Sequence, residues 1–218
     1  MFGEYKESST DNDPLINPHI LFPTPLWHIK AKVEDAADIE EMRKWAYTIE
    51  KSDKGVVKSN RGTYHSDYNK NFFNIPHLKL LQKKLEFFPK FVFKEWWINV
   101  QRKGEYNVTH NHPNCDLSFI WYLTDNYNSL CFSHANYEMT RTNLYTAFKN
   151  VNNLDEYNPF GFNHKINCKA GDILVFPSDA SHFVEQHKKR TPRISLAGNI
   201  SMETVSYTHL TLPTTPYV

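Results

Sequence analysis

Two histidines one residue apart, His110 and His112, are the first candidates for chemistry in this sequence. They lie between a segment with strand character and Pro113, and in an extended chain positions i and i+2 project to the same side. The two imidazoles would therefore converge, as the ligands of one metal ion must. A bare pair of this kind is more often two surface histidines, so the metal interpretation depends on support from elsewhere in the chain.

A later segment supplies that support. The run Ala170-Gly-Asp-Ile-Leu-Val-Phe-Pro-Ser178 leads to Ser181-His182, and Arg193-Ile-Ser195 follows. It has the pattern of a turn, a buried strand, a histidine and then an arginine one strand onward. That order is far more specific than the histidine pair alone. The sequence therefore predicts a metal site between the histidine pair and His182.

The elements that position these residues begin with two predicted helices. Asp35 is expected to cap a helix that runs to about Lys51, and Pro76 is expected to open a second helix that ends before Pro89. Each helix has one apolar face at helical spacing, which is typical of packing against a core. The residues of these faces are Ile39, Met42, Ala46 and Ile49 in the first helix, and Leu78, Leu81, Leu85 and Phe88 in the second.

From Phe91 onward the sequence has short runs rich in aromatic and β-branched residues, separated by Asn, Asp, Gly and Pro clusters, which is typical of strands. The predicted strands are Phe91 to Arg102, Leu117 to Thr124, Leu130 to Ala135, Asn163 to Cys168, Asp172 to Phe176, Phe183 to Glu185 and Arg193 to Ile200. Short strands behind two helices predict a mainly β fold. We expect a double-stranded β-helix, or cupin-like jelly roll, with the N-terminal helices packed on one sheet.

The 218 residues are expected to form one domain at 21–204, with its β-helix core at about 91–204, after a weakly ordered polar segment at 1–20. Residues 136–160 are expected to form a long loop that either covers the site or is a variable surface excursion. Residues 205–218 include a run that resembles the translation of a transposon-end sequencing adapter. They are expected to be non-native read-through, with a natural polar tail as the alternative.

Composition limits the partners that the chain can have. Lys and Arg total 25 and Asp and Glu total 24, so no general field attracts nucleic acid or an anionic membrane. No apolar run reaches the roughly 18 residues of a membrane span, and the N-terminus lacks a signal-peptide pattern. The three cysteines are odd in number and widely spaced, which suits reduced thiols. We therefore expect a cytoplasmic protein that does not bind nucleic acid.

The motifs resemble those of a known family, the iron(II)/2-oxoglutarate-dependent oxygenases, and especially its prolyl 4-hydroxylase-like branch, which is common in phage and marine bacteria. The resemblance covers roughly residues 21–201. A phage-encoded member would act in the cytoplasm of its host. The segments that carry the resemblance, in the order of the family, are Leu21-Phe-Pro-Thr-Pro-Leu-Trp27, His110-Asn-His-Pro-Asn114, Leu117-Ser-Phe-Ile-Trp-Tyr-Leu123 and Gly171-Asp-Ile-Leu-Val-Phe-Pro177.

The resemblance implies Fe(II) as the metal, with 2-oxoglutarate and O2 as cosubstrates. Such a site holds iron on one face with three protein ligands and leaves the other face open, and His110 and His182 match its two imidazole positions. Arg193 matches the cation that holds the far carboxylate of 2-oxoglutarate through two parallel hydrogen bonds, and Ser195 would add a hydroxyl donor. Further candidates for lining the cosubstrate site, each with a structural role as an equal alternative, are Gln101, Asn99 and Tyr122. The histidines without a motif position, interpreted as surface or internally satisfied residues, are His28, His65, His134, His164 and His187.

One position departs from the family pattern. Most members have HxD or HxE in the first metal segment, whereas this chain has His112 at the carboxylate position. Three interpretations are open. The metal has three histidine ligands, or it has only two protein ligands, or a carboxylate such as that of Asp116 binds in place of His112. The first interpretation has as much weight as the other two together, because HxHPN fits a recurrent variant within the branch. A neutral triad leaves the full charge of the metal facing the dianionic cosubstrate.

The leading function is hydroxylation of a substrate C–H bond, with 2-oxoglutarate converted to succinate and CO2. The alternative from another class is a non-catalytic metal-binding jelly roll, either a zinc module or an inactive oxygenase homologue, and three histidines suit zinc well. Arg193 separates the two, since a zinc module has no need of a buried arginine beyond the distal histidine. A three-histidine thiol dioxygenase ranks last because it does not use Arg193. The expected substrate is a small molecule or a peptide side chain.

Overall fold

The computed structural model describes residues 24–71, 75–88, 91–133 and 163–202. Two helices precede the long strands. A 3-10 turn at Val33–Asp35 leads into α1, Ala36–Ser52, and a second turn at Pro76–Leu78 leads into α2, Lys79–Leu85. Both predicted helices are therefore confirmed. Within the described part of the chain, no helix is long and apolar enough to cross a membrane.

The apolar faces of both helices pack into the core, because burial of such a face stabilises a helix more than its intrinsic propensity does. Their buried residues are Ile39, Met42 and Ala46 in α1, and Leu78, Leu81, Leu85 and Phe88 in α2 and the residues on either side of it. Asp35 is the N-cap residue of α1, as predicted, but its side chain makes no capping hydrogen bond to the helix. Its carboxylate instead accepts a hydrogen bond from the Lys32 backbone N–H at 2.7 Å and pairs with Lys84. This buried ion pair joins the start of α1 to α2.

The described strands form two antiparallel sheets, a six-stranded one in the order β1-β9-β6-β11-β4-β3 and a five-stranded one in the order β2-β5-β10-β7-β8. The strands are β1 Trp27–Ile29, β2 Asn60–Arg61, β3 Tyr64–His65, β4 Phe91–Gln101, β5 Tyr106–His110, β6 Leu117–Tyr122, β7 Asn126–Ser133, β8 Asn163–Cys168, β9 Ile173–Pro177, β10 His182–Val184 and β11 Arg193–Met202. Helix α1 contacts β4 of the six-stranded sheet. The predicted double-sheet fold with helices on one sheet is confirmed.

Each of the seven predicted strands corresponds to an observed one, with ends that differ by up to four residues. The larger differences are at β7, which begins at Asn126, and at β11, which continues to Met202. Strands β1, β2, β3 and β5 were not among these seven runs, because β1, β2 and β3 have only two or three residues each and β5 is a polar, half-exposed segment. The predicted segments 1–20, 136–160 and 205–218 lie outside the described residues.

The core consists of two apolar clusters. One lies between the helices and the six-stranded sheet, and the other lies between the two sheets. Strand β9 contributes to both, with Ile173 and Val175 on the helix side and Leu174 and Phe176 between the sheets. A strand buried on both faces requires a continuous apolar run, which explains why the segment before His182 is so hydrophobic. This buried strand ends at Pro177, five residues before His182 opens β10.

Candidate metal centre

Two of the candidate ligands lie opposite each other on paired strands. Strand β10 pairs antiparallel with β5, and His182 is the direct partner of His110. In each residue Nδ1 lies 2.8 Å from a carbonyl oxygen two positions earlier, that of Val108 for His110 and that of Ala180 for His182. Because a carbonyl only accepts, Nδ1 carries the proton in both rings, and Nε2 keeps its lone pair for a metal.

His112 follows the end of β5 and is positioned differently. Its backbone N–H donates to the Ser178 carbonyl at 2.8 Å, which ties the turn after β5 to the end of β9. The next turn includes Asn114 at a positive φ of 68°, a conformation that asparagine tolerates better than most residues. The His112 ring is held between flat neighbours, with Trp97 stacked at 5.4 Å and His182 stacked at 5.2 Å.

The three imidazoles converge on one point. One ring nitrogen from each lies within 4.8 Å of the others, and His112 Nε2 is 3.4 Å from His182 Nε2. Burial lowers the pKa of His112 to about 3 and that of His182 to about 4, and it also lowers the pKa of His110. The rings are therefore neutral near pH 7. Neutral nitrogens turned towards one another are the donor set that a divalent cation requires.

Carboxylates that could replace His112 lie elsewhere. Asp116 is exposed, and its Oδ2 accepts a hydrogen bond from the Met202 backbone N–H at 2.7 Å. Neither Asp116 nor Glu95 belongs to the group of converging ligand atoms. Among the described residues the geometry therefore favours three histidines over a carboxylate from Asp116.

A cavity of about 460 Å³ between the two sheets contains the histidines. The predicted site residues that line it are His110, His112, His182, Arg193, Ser195, Gln101, Asn99 and Tyr122. Strand pairing places several of them side by side, since Arg193 is opposite Gln101, and Ser195 is opposite both Asn99 and Tyr122. All eight residues predicted from the sequence therefore share one cavity.

Arg193 is buried at one end of this cavity without a carboxylate partner among the described residues. Its guanidinium donates to the side chain of Gln101, to Asn126 Oδ1 at 3.2 Å and to the Glu185 carbonyl at 3.2 Å. Burial lowers the pKa of Arg193 to about 10, so the group stays charged at neutral pH. A buried charge that meets only neutral groups has capacity for an anion.

Two polar atoms that line this part of the cavity have no hydrogen-bond partner among the described residues. One is Asn126 Nδ2, in a residue that contacts Arg193 and is 1% exposed, and the other is Asn99 Oδ1, opposite Ser195. An unpaired buried donor next to a guanidinium fits a carboxylate, because it adds a second direction of hydrogen bonding. Complete burial raises the pKa of Tyr122 well above its usual range, so its hydroxyl keeps its proton. This end of the cavity therefore fits the far carboxylate of a dicarboxylic acid.

A chain of hydrogen bonds joins the Arg193 end to the histidines. Gln101, which accepts from Arg193, donates through Nε2 to Asn107 Oδ1 at 3.4 Å. Asn107 Nδ2 donates to Ser59 Oγ at 3.1 Å, and that hydroxyl lies 3.3 Å from His110 Nε2. Since this nitrogen has no proton, Ser59 donates to it. A metal bound at the same lone pair would release the Ser59 hydroxyl for another acceptor.

Several residues that line the cavity were not recognised as site residues from the sequence. Asn126, Asn107 and Ser59 lie in no motif, and no sequence signal identifies them. Two others, Glu95 and Asn199, could have been predicted. Each lies four positions along the same strand from a predicted residue, Asn99 on β4 and Ser195 on β11, and therefore on the same face. Period-two spacing from those candidates would have indicated them.

The histidines without a motif position are mostly accounted for by local contacts. His28 Nε2 is 2.9 Å from Asp172 Oδ2, His187 Nε2 is 2.7 Å from the Thr191 carbonyl, and His164 is exposed. His65 differs, because it is buried, lines the cavity and stacks on Trp97 at 5.3 Å. Its Nδ1 also contacts the Ser66 carbonyl at 2.6 Å. His134 lies outside the described residues.

Comparison with known proteins agrees with this geometry. Residues 95–199 match the family described as "Putative 2OG-Fe(II) oxygenase", which confirms the resemblance seen in the sequence motifs. No functionally curated sequence matches the chain. The matched segment runs from β4 to β11 and includes the three histidines and Arg193.

Several solved structures share the fold at low sequence identity. HygX from Streptomyces hygroscopicus, with nickel and 2-oxoglutarate bound, has a TM-score of 0.57 and 14% identity, and the likeness covers 83% of this chain and 84% of HygX. A Pseudomonas putida prolyl-4-hydroxylase has a TM-score of 0.55 and 13% identity over 83% of this chain and 94% of its own. The α-ketoglutarate-dependent epimerase SnoN from nogalamycin biosynthesis has a TM-score of 0.56 and 13% identity, and the likeness covers 83% of this chain and 80% of SnoN. At these identities the likeness confirms the double-stranded β-helix fold.

Proposed function

From the match of residues 95–199 to the 2OG-Fe(II) oxygenase family, we propose that this protein is an Fe(II)- and 2-oxoglutarate-dependent dioxygenase. The reaction is hydroxylation of a substrate, with release of succinate and CO2. The metal ligands are His110, His112 and His182. Arg193 holds the far carboxylate of 2-oxoglutarate.

One observation carries the proposal: a buried arginine that has no carboxylate partner in the described part of the chain shares a cavity with three converging imidazoles. A metal alone would explain the histidines, and an internal ion pair would explain a buried arginine. A ligand that is anionic at one end and binds metal at the other explains both. The unpaired Asn126 Nδ2 beside Arg193 supports the same ligand, because it is a further donor for the carboxylate.

Bound Fe(II) and 2-oxoglutarate would supply the oxidising chemistry, in which O2 converts the cosubstrate to succinate and CO2 and oxidises the substrate. The protein contributes binding, orientation and exclusion of water. Arg193 binds and orients the cosubstrate, assisted by Asn126 and by the Ser195 hydroxyl. The apolar side chains of Phe176, Ile120 and Ala197 line the cavity and keep water from its interior.

We propose hydroxylation as the reaction because a prolyl-4-hydroxylase is among the proteins with the same fold. The neighbours also include HygX with hygromycin B bound, so a small-molecule substrate is as consistent with the fold as a peptide side chain. Nucleic acid and membrane are not proposed as partners. We propose that the protein acts in the cytoplasm.

The test compares 2-oxoglutarate binding with metal binding. Under anaerobic conditions, the full chain with Fe(II) should develop a visible charge-transfer band when 2-oxoglutarate is added. Arg193→Met should lose at least about tenfold in affinity for 2-oxoglutarate, since hydrogen bonds to a charged group contribute about 1.5–3 kcal/mol. Its metal content should not change. Arg190→Met, which removes an exposed arginine, is the matched control and should behave as the wild type.

A non-catalytic metal-binding module is the second candidate, because three neutral imidazoles also suit zinc. In that case the chain binds Zn(II), shows no band with Fe(II) and 2-oxoglutarate, and responds equally to Arg193→Met and Arg190→Met. Equal 2-oxoglutarate affinity in the two variants would contradict the role proposed for Arg193.

A further inference from the structure

The cavity has a second polar end, opposite Arg193, that the proposed chemistry does not use. Along β11 the residues Arg193, Ser195, Ala197 and Asn199 all line the cavity. Asn199 lies six positions after Arg193, which is about 20 Å along an extended strand. A five-carbon dicarboxylate held at Arg193 is too short to reach Asn199. This end of the cavity is therefore available to a different molecule.

The side chains at this end form a fixed hydrogen-bond network. Strand pairing places Asn199 opposite both Glu95 on β4 and Ser118 on β6. Ser118 Oγ donates to Asn199 Oδ1 at 2.8 Å, and Asn199 Nδ2 donates to Glu95 Oε1 at 2.9 Å. If the Asn199 amide were rotated by about 180°, its oxygen would face the Glu95 carboxylate and the two would repel each other. The observed orientation of the amide is therefore the favourable one. Asn199 and Ser118 are 4% and 2% exposed, and the Glu95 carboxylate is therefore held in a set position.

Glu95 has unused capacity as an acceptor and as a charge. A carboxylate can accept about four hydrogen bonds, and the described residues supply one, from Asn199. None of the described Lys, Arg or His residues forms an ion pair with Glu95. The residue is half-buried and faces the cavity. A negative charge in this position attracts a positively charged group that enters from outside.

The surroundings of Glu95 also suit a cation. Tyr68 lines the same part of the cavity, and Glu95 contributes to raising the pKa of its hydroxyl, after burial. The ring of Tyr68 already has a cation over it, since Lys58 Nζ lies 5.2 Å from the ring centroid. Aromatic rings beside a carboxylate are the usual surroundings of a bound ammonium group. Lys58 is exposed and long enough to move aside for another cation.

We propose that Glu95, positioned by Asn199 and Ser118, forms a substrate subsite that binds a protonated amine. The inference deepens the proposed function, on which it rests, because it gives the substrate a chemical class: a small molecule or side chain with an ammonium group. His112 stacks on Trp97, which is two positions from Glu95 along β4, so a substrate anchored at Glu95 extends towards the histidines. Glu95 acts here in substrate selection, since it is not among the converging ligand atoms.

The test uses two probes of matched shape, cadaverine and 1,5-pentanediol, which differ in charge. Binding to the full chain, without added metal or cosubstrate, is measured by saturation-transfer NMR. Cadaverine should bind and the diol should bind at least about tenfold more weakly, because only the diamine brings a positive charge to the Glu95 carboxylate. Glu95→Gln keeps the acceptor for Asn199 and removes the charge, so it should lower the affinity for cadaverine by about tenfold or more.

Glu86→Gln is the matched control, because Glu86 is exposed at the end of α2 and its loss removes the same charge. It should bind cadaverine as the wild type does. Equal affinity of Glu95→Gln and Glu86→Gln for cadaverine overturns the proposal, and so does equal affinity of the wild type for the two probes or no binding of cadaverine. The probe comparison on the wild type holds even if Glu95→Gln does not fold.

The outcomes separate this inference from the proposed function. Cadaverine binding requires neither iron nor 2-oxoglutarate, whereas the Arg193→Met test measures 2-oxoglutarate alone. If cadaverine binds through Glu95 but 2-oxoglutarate does not bind, the dioxygenase proposal fails and the cation site stands. If 2-oxoglutarate binds through Arg193 but cadaverine does not bind, only the subsite is overturned.

Discussion

The imidazole rings of His110 and His182 are oriented by hydrogen bonds to backbone carbonyls, whereas the ring of His112 is oriented by stacking on other rings. The first two lie opposite each other on paired strands, and each Nδ1 is 2.8 Å from the carbonyl oxygen two residues earlier. His112 lies in the turn after β5, stacked between Trp97 and His182 at 5.4 and 5.2 Å. The same metal site therefore has two rigidly oriented ligands and one ligand of a different kind.

The difference corresponds to the position at which the chain departs from the family pattern. A carboxylate at this position would need hydrogen-bond donors to orient it, but the structure supplies an aromatic face. Trp97 lies between His65 and His112, with interplanar angles of 7° and 16°. A flat indole supports a flat imidazole better than it supports a carboxylate. The surroundings of residue 112 thus match a histidine, which favours the three-histidine interpretation.

The largest effect should come from removing a ligand that is oriented by the backbone. We expect His182→Ala and His110→Ala each to weaken Co(II) binding by at least about 100-fold. Loss of a residue that only hydrogen-bonds to a metal ligand usually costs about 10- to 100-fold, and loss of the ligand itself should cost more. Titration with Co(II), followed by its visible absorption, measures this. His164→Ala removes an exposed histidine of β8 and should not change the affinity. Wild-type affinity in both ligand variants would place the metal elsewhere.

A smaller effect is expected at His112. We expect His112→Ala to weaken metal binding by about tenfold, because one of three ligands is lost while the two oriented ligands remain. His112→Asp should recover part of that affinity, since a carboxylate adds a negative charge that attracts the divalent ion but is not oriented by the aromatic surroundings. Metal titration and 2-oxoglutarate turnover are measured for both variants. Full affinity and turnover in both would show that His112 is not a ligand.

Much of this site follows from the sequence, but the support of His112 does not. The HxH spacing and the apolar run before His182 indicate the ligands, because a strand period of two and a buried strand leave clear patterns. Arg193 is indicated by the family motif. The stack of His65, Trp97 and His112 joins β3, β4 and the turn after β5, and pairing between distant strands is not encoded in local spacing. The same applies to Asn126, which reaches Arg193 from β7 through tertiary packing alone.

The smallest effect should come from Trp97, whose described contact with the candidate ligands is its stack on His112. Stacked aromatic pairs contribute about 0.5–1.5 kcal/mol, so Trp97→Leu should weaken metal binding by about 2- to 10-fold, and Trp97→Phe should weaken it less. A general loss of structure would also lower affinity, and a double-mutant cycle separates the two causes. In a His112→Ala background Trp97→Leu should have no further effect, because the ring that it orients is absent. An equal loss in both backgrounds would mean that Trp97 supports the fold and not the ligand, and the contrast between the two kinds of histidine would then lie in the backbone alone.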